Sequence, residues 1–316
     1  MSDDRPAVAG ASLPVTVGRD SVRIGERFEL ALQRTLRVPE DGNTYPLPPG
    51  LGRLPLLPAG AAAGPLPPEW RESGDVLAPL YQREALWLAL GGAAWKPNAV
   101  QIGVGSVNAI SGGSWDEGLS DDPQNYVVVP EQPWLDGINS GAGSVRQFVA
   151  VPLGSGRTVE GQLHGSEQDA ALQIRVFEPR PGIFPDAEPE RRPPQPARMG
   201  VPAMGLGAGG TIRQKLYPDP HGLEVWDPGV WGSARIRILN SERWAELTGQ
   251  SVPPTPVTAA VYSEHGFPWF ELYDEELGDV APSARFDGLE GTASNGDAST
   301  PVDPASIEGI RRGQDR

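Results

Sequence analysis

Apolar and polar residues alternate with a period of two in a series of short stretches between residues 26 and 273. In residues 28–38, Phe28, Leu30 and Leu32 share one parity, whereas Glu29 and Gln33 share the other. Because successive side chains of a β-strand point to opposite faces, this pattern predicts a strand with one buried and one solvated face. Arg34 interrupts the buried parity, so we expect it at an edge or a bulge.

Further strands are predicted wherever the alternation or a short apolar run recurs. The predicted ranges are residues 86–90, 100–104, 126–129, 145–153, 159–163, 172–176, 212–216, 234–238, 257–261 and 269–273. Gly154–Arg157 is predicted as a hairpin turn between two of them. One helix is predicted over 241–248, with Asn240 or Ser241 as its cap and Gly249 at its end. With only one intervening helix, we expect an antiparallel β-sandwich or jelly roll rather than parallel βαβ units.

Proline and glycine mark the segments between the strands. Because proline donates no backbone hydrogen bond, residues 39–70 are expected to run outside the sheets, with part of their apolar content on the core. Residues 179–204 are rich in proline and predict a long loop or linker. Residues 1–12 and the acidic tail 277–316 lack apolar periodicity, so we expect disorder there. The remaining chain, 13–276, is predicted to form a single β-rich domain.

Composition excludes several classes of function. The chain has 316 residues and a net charge of -15, which disfavours non-specific binding to nucleic acids or anionic membranes. It contains no cysteine, so disulfides and cysteine-based zinc sites are excluded. No basic and apolar leader and no membrane-length apolar run is visible. The sequence therefore predicts a soluble, cytoplasmic protein with neither a nucleic-acid nor a membrane partner.

Established catalytic motifs are absent from the sequence. There is no nucleophile elbow, phosphate-binding loop, zinc-protease helix or EF-hand loop, and we expect no cofactor. The glycine cluster 205–210 resembles a phosphate cradle only in composition, because such a cradle needs a strand before it and a helix after it. We interpret the cluster as a flexible turn that leads into a strand.

Tryptophan occurs repeatedly beside acidic and amide residues, a combination typical of carbohydrate sites. An indole face contacts sugar C–H groups, carboxylates and amides bind hydroxyls, and two suitably spaced carboxylates hydrolyse a glycosidic bond. The alternative is that these residues cover sheet ends and cap turns. The candidate ligand-binding residues are Trp115, Trp134, Trp226 and Trp269, and the candidate catalytic residues are Asp116, Glu117, Glu131, Asp136 and Glu271.

A metal site is a weaker hypothesis. Its candidates are His221, Asp219 and His265. Two histidines and a carboxylate are suitable ligands, but the chain lacks the His-x-His pair that metal-binding jelly rolls place on one strand. We therefore expect these histidines to be solvated or hydrogen-bonded in loops.

The sequence favours a binding or assembly protein over an enzyme. Proline-rich loops offer interaction surface, residues 189–198 suit an aromatic groove of a partner protein, and exposed strand edges favour self-association. One alternative is a hydrolase of a carbohydrate or similar polyol with paired carboxylates. The other alternative is a metal-dependent jelly-roll enzyme.

Overall fold

The structure is a computed structural model that describes residues 11–116, 118–141, 143–167, 170–187 and 205–249, with residues 280, 283–286, 289 and 291. It is mainly β, and two sheets with few short helices form a sandwich. The predicted β-sandwich is therefore confirmed.

The described strands are short and numerous. In chain order they are β1 (Ala11–Ser12), β2 (Val15–Val17), β3 (Val22–Ile24), β4 (Phe28–Thr35), β5 (Thr44–Tyr45), β6 (Gly50–Arg53), β7 (Leu57–Pro58), β8 (Val76–Pro79), β9 (Ala85–Gly91), β10 (Asn98–Val104), β11 (Val107–Asn108), β12 (Val127–Val129), β13 (Trp134–Leu135), β14 (Gly137–Gly141), β15 (Ser144–Val151), β16 (Leu172–Pro179), β17 (Gly205–Arg213) and β18 (Trp226–Leu239). The α-helices are α1 (Pro68–Glu72), α2 (Val159–His164) and α3 (Ser241–Thr248), and 3-10 turns lie at Ala59–Ala61, Leu223–Val225 and Ala284–Phe286.

Both sheets are mixed. The first has the order β11–β10–β16–β18–β8–β7, with β12 beside β10 and β1 beside β18. The second has the order β2–β3–β4–β9–β15–β17–β5, with β6, β13 and β14 beside β4, β9 and β15. Most described pairs are antiparallel, as expected, but β18 pairs in parallel with β1 and β8, and β17 with β5. Strands from both sides of the proline-rich stretch thus join each sheet.

The core lies between the sheets and is built from the predicted apolar parity. Leu30 and Leu32 of β4 are fully buried in the same cluster as Ile174 of β16 and Ile236 of β18. Full burial of such a side chain contributes about 1.5–3 kcal/mol. Arg34 lies where the pairing of β4 with β6 shifts, which agrees with the expected irregularity.

The prediction of a strand over 159–163 is wrong, because these residues form α2. The Thr158 side chain caps this helix by accepting the Gly161 N–H, and Gly165 ends it in the left-handed region. Val159 and Leu163 are four residues apart, a spacing that fits one face of a helix as well as a strand. Gly154–Arg157 accordingly connects β15 to a helix and is not a hairpin turn.

Two glycine- and proline-rich regions also differ from expectation. The cluster 205–210 is not a turn but the first part of β17. Close packing requires glycine in this strand, because a Cβ on Gly210 would lie 2.2 Å from the Pro39 carbonyl oxygen. Residues 39–70, expected outside the sheets, contain β5, β6 and β7, although Leu54 does reach the core as predicted.

Part of the predicted tail packs against the sandwich. Val280, Phe286 and Leu289 are buried in the core cluster. The Val280 N–H donates to the Leu216 carbonyl at 2.7 Å, and an Arg146 N–H donates to the Leu289 carbonyl at 2.5 Å. These three positions of the segment that is expected to be disordered thus contribute to the core. The strands predicted at 257–261 and 269–273 lie outside the described residues.

Candidate functional site

Residues 131–136 and 213–226 are joined by a buried glutamine. Gln132 is 2% exposed, and its amide N–H groups donate to the backbone carbonyls of Trp134 at 3.0 Å and Lys215 at 3.3 Å. Its carbonyl oxygen accepts the Tyr217 N–H at 3.0 Å. Because a buried amide must satisfy both of its ends, these bonds fix the two segments against each other.

A second glutamine makes the reciprocal connection. The Gln214 amide donates to the Trp134 carbonyl at 3.1 Å, and its carbonyl oxygen accepts the Asp136 N–H at 2.8 Å. A cavity with room for about one water molecule lies between the segments, and Trp134 and Gln214 line part of it. We name this region the Trp134 site and define it by Glu131, Gln132, Trp134, Asp136, Gln214 and His221.

Asp136 is the most unusual group of the site. It is fully buried, and neither carboxyl oxygen has a hydrogen-bond partner among the residues that the structure describes. Burial raises the pKa of Asp136 well above its ordinary value, and a weak polar interaction with the Trp134 side chain, outside hydrogen-bonding geometry, opposes that rise only in part. A buried carboxyl without a partner avoids the cost of an isolated charge by keeping its proton. We therefore expect Asp136 to be neutral.

His221 and Glu131 face each other without a direct hydrogen bond. His221 Nε2 lies 3.7 Å from Glu131 Oε1, which exceeds hydrogen-bonding distance. Both side chains are partly exposed, yet the Nε2 atom of His221 and the Oε2 atom of Glu131 are buried and have no partner. Edge-on contacts with the rings of Phe184 and Trp226 hold the imidazole in place.

The Asp219 carboxylate holds His221 and Trp226 together through hydrogen bonds. One oxygen accepts the Tyr126 hydroxyl at 2.6 Å and the Trp226 indole N–H at 2.7 Å, and the other accepts the His221 backbone N–H at 2.8 Å. Burial, reinforced by this carboxylate, raises the pKa of Tyr126. Asp219 is thus occupied by protein donors, and the indole of Trp226 is buried rather than presented to a ligand.

The other predicted site residues do not join this cluster. The Trp115 ring covers Gly103 of β10, where a Cβ would lie 2.5 Å from the indole. Asp116 is exposed, and its carboxylate accepts the Gly118 N–H at 2.9 Å, as a turn-capping residue does. Glu117, His265, Trp269 and Glu271 lie outside the described residues.

The structure brings several predicted candidates together and adds two that sequence reasoning missed. Gln132 and Gln214 hold the segment that carries Glu131, Trp134 and Asp136 against residues 214–217. Within this arrangement Glu131 lies near His221. A glutamine carries no local signature of such a role. The only signal for Gln132 was its position between two candidate residues.

Comparison with known proteins adds no identity. Searches against protein-family models, curated proteins and solved structures found no match to this chain. Within the described residues, no group of three or more potential ligands is placed to hold a metal ion. No helix in the same part of the chain has the length and apolar character needed to cross a membrane.

Proposed function

We propose that this protein is a binding protein and that the Trp134 site takes a hydroxyl-rich ligand, a sugar or similar polyol. The observation that carries the proposal is the 3.7 Å separation between His221 Nε2 and Glu131 Oε1, beside buried polar atoms without partners. One hydroxyl oxygen placed about 2.8 Å from both atoms would accept from the imidazole and donate to the carboxylate. A hydroxyl is suited to this gap because it both donates and accepts.

Trp134 supports the same ligand class. Its side chain is partly exposed and lines the cavity, so an indole surface is available for sugar C–H groups. The cavity admits about one water-sized group and not a whole sugar ring. The ligand would therefore rest on the surface beside Trp134, with one of its hydroxyls in the separate gap between His221 and Glu131.

The same geometry favours binding over hydrolysis. Glycosidases need two carboxyl groups that reach opposite sides of the scissile bond. Glu131 is partly exposed, but Asp136 is 0% exposed and cannot touch a substrate in this structure. The metal-dependent alternative has little support, because both oxygens of Asp219 already accept hydrogen bonds.

The proposal is tested by screening the full chain against an array of neutral oligosaccharides and measuring each hit by isothermal titration calorimetry. Trp134→Ala is expected to weaken binding of a hit by about tenfold or more, because it removes the aromatic surface. Glu131→Gln and His221→Gln are each expected to weaken it about five- to tenfold, as expected for one lost hydrogen bond to a charged or polar group.

Trp115→Ala is the matched control, because Trp115 is also partly exposed but covers Gly103 outside the site. It is expected to leave the affinity unchanged. The proposal fails if no oligosaccharide binds, or if Trp134→Ala and Trp115→Ala have equal effects. If the protein releases reducing sugar from a bound oligosaccharide, it is a carbohydrate hydrolase and the binding proposal is wrong.

A further inference from the structure

A serine and a histidine from distant parts of the chain are hydrogen-bonded at the surface. Ser106 Oγ lies 2.7 Å from His164 Nδ1. This pairing is independent of the Trp134 site, since it joins the turn after β10 to the end of α2. We propose that Ser106 is a nucleophile with His164 as its general base, and that the pair acts on esters of short acyl groups.

The backbone around Ser106 is held rigidly. Ser106 follows Gly105, whose φ of +58° suits the two-residue turn between β10 and β11. The Gly105 N–H donates to the Ala171 carbonyl at 2.8 Å, and the Gly105 carbonyl accepts the Gln173 amide at 2.7 Å. The Ser106 carbonyl accepts the Trp115 N–H at 2.7 Å. Such fixation places a nucleophile at no further entropic cost during reaction.

The backbone of His164 is also held in place, as the last residue of α2. Thr158 caps the start of this helix, and Gly165 ends it with a φ of +70° and an N–H bond to the Gly161 carbonyl. The imidazole is exposed, so its Nε2 can exchange protons with water. Nucleophile and base within hydrogen-bonding reach, each on a rigid element, is the arrangement that activates a serine hydroxyl.

A small pit is lined by the residue before Ser106 and by a residue one helical turn before His164, and we assign it to the acyl group. Gly105 and Glu160 contribute to its wall, and the remaining lining is largely apolar, including Leu172 and Leu206. Its room for about one water molecule matches the methyl group of an acetyl ester and excludes a long acyl chain. We therefore assign short-chain acyl esters, acetyl esters first, as the substrate class.

The reaction proceeds by acyl transfer. Ser106 Oγ forms a bond to the acyl carbon while His164 Nδ1 takes the hydroxyl proton. The C–O bond to the alcohol then breaks, and His164 returns the proton to the departing alcohol oxygen. A water oxygen then bonds to the acyl carbon while His164 Nδ1 takes its proton. The bond between the acyl carbon and Ser106 Oγ breaks, and His164 returns the proton to Oγ, which releases the carboxylic acid and restores Ser106.

The test treats the full chain with a fluorophosphonate and locates the adduct by peptide mass spectrometry. Wild type is expected to carry the phosphonyl group on Ser106. Ser106→Ala is expected to lose it, and His164→Gln to slow its formation about a hundredfold, the usual contribution of a general base. Ser155→Ala is the control, because Ser155 is an exposed turn serine without a histidine partner, and it is expected to label as wild type does.

Substrate range is measured by the release of p-nitrophenol from its acetate and octanoate esters. The Ser106-dependent rate is expected to be at least tenfold higher for the acetate. Circular dichroism melting of each variant verifies that it is folded. Absence of an adduct on Ser106, or an unchanged labelling rate in folded His164→Gln, overturns the proposal. An equal rate for both esters overturns the assignment of the acyl group.

Discussion

Two carboxyl groups are buried on strands or turns of the second sheet, and they are accommodated in opposite ways. Glu84, just before β9, is 3% exposed and accepts the Arg34 guanidinium at 2.5 Å and the Tyr81 N–H at 3.0 Å. Asp136, between β13 and β14, is 0% exposed and has no partner for either oxygen within the described residues. One carboxyl is paired and the other is not.

This difference in pairing distinguishes a structural carboxylate, Glu84, from the carboxyl of the candidate site, Asp136. Burial raises the pKa of both groups, but Arg34 opposes the rise at Glu84. The paired Glu84 carboxylate connects β4 to the turn before β9. The unpaired Asp136 carboxyl makes no such connection, so it stabilises the fold no more than a neutral residue would. Unsatisfied buried polar groups are rare in folded proteins and concentrate where function opposes stability. The unpaired Asp136 therefore supports the proposal of a binding site around Trp134, whereas the paired Glu84 has the contacts of a structural residue.

The largest effect is expected from removing Arg34. Arg34→Met keeps the aliphatic part of the side chain but leaves Glu84 buried without its cation. We expect the free energy of unfolding at pH 7 to fall by about 3–5 kcal/mol, measured by urea denaturation. The loss should be smaller at pH 5, because protonation of Glu84 then removes the unpaired charge. A loss below about 1 kcal/mol at both pH values would contradict the comparison.

Asp136→Asn tests the unpaired carboxyl, and its effect depends on pH. Because the pKa of Asp136 is raised by folding, the folded state holds a proton that the unfolded state releases above about pH 4. Wild type thus loses stability as pH rises from about 4 towards the folded pKa, by about 1.4 kcal/mol for each unit of the shift. Asparagine cannot ionise, so the variant should gain stability relative to wild type between pH 4 and pH 8. Parallel urea-unfolding profiles would show that Asp136 is not protonated in the fold.

Elements are predictable from the sequence wherever one period dominates the pattern of apolar residues. The strands around Leu30 and Ile174 and the helix Ser241–Thr248 follow from an apolar face of clear periodicity. The sequence predicts a strand where α2 forms, because the two apolar residues of α2 fit both periods. β5, β6 and β7 of residues 39–70 are not predictable, because strands of two to four residues are too short to show an alternation of apolar and polar residues.

The candidate site was predictable in composition but not in assembly. Residue types alone singled out Glu131, Trp134 and Asp136 as one group. The pairing of Glu131 with His221 joins positions far apart in the chain, and no period or spacing encodes that contact. The contrast between Asp136 and Glu84 likewise depends on which cation reaches each carboxyl, a property of the folded sheet alone.

Gln214→Leu tests whether the network that holds Asp136 is itself stabilising. Leucine removes the acceptor of the Asp136 N–H and leaves that buried donor without its partner. We expect a loss of about 1–3 kcal/mol in urea denaturation. Gln82→Leu is the matched control, since Gln82 is exposed and such surface changes stay within about 0.5 kcal/mol. Equal effects of the two variants would mean that Asp136 is held by its strands and not by the glutamine.

The smallest effect is expected at an exposed ion pair, which isolates the contribution of burial. Arg23 and Glu29 lie 3.2 Å apart with side chains 58% and 33% exposed. Arg23→Met should cost no more than about 0.5 kcal/mol, and that cost should vanish in 1 M salt, where the Debye length is about 3 Å. The loss in Arg34→Met should persist in the same salt, because the Arg34–Glu84 pair is shielded from solvent ions. If the two variants lose similar stability and respond equally to salt, the stability of these ion pairs does not depend on their burial. The lack of a partner at the buried Asp136 would then no longer support a functional role for this residue.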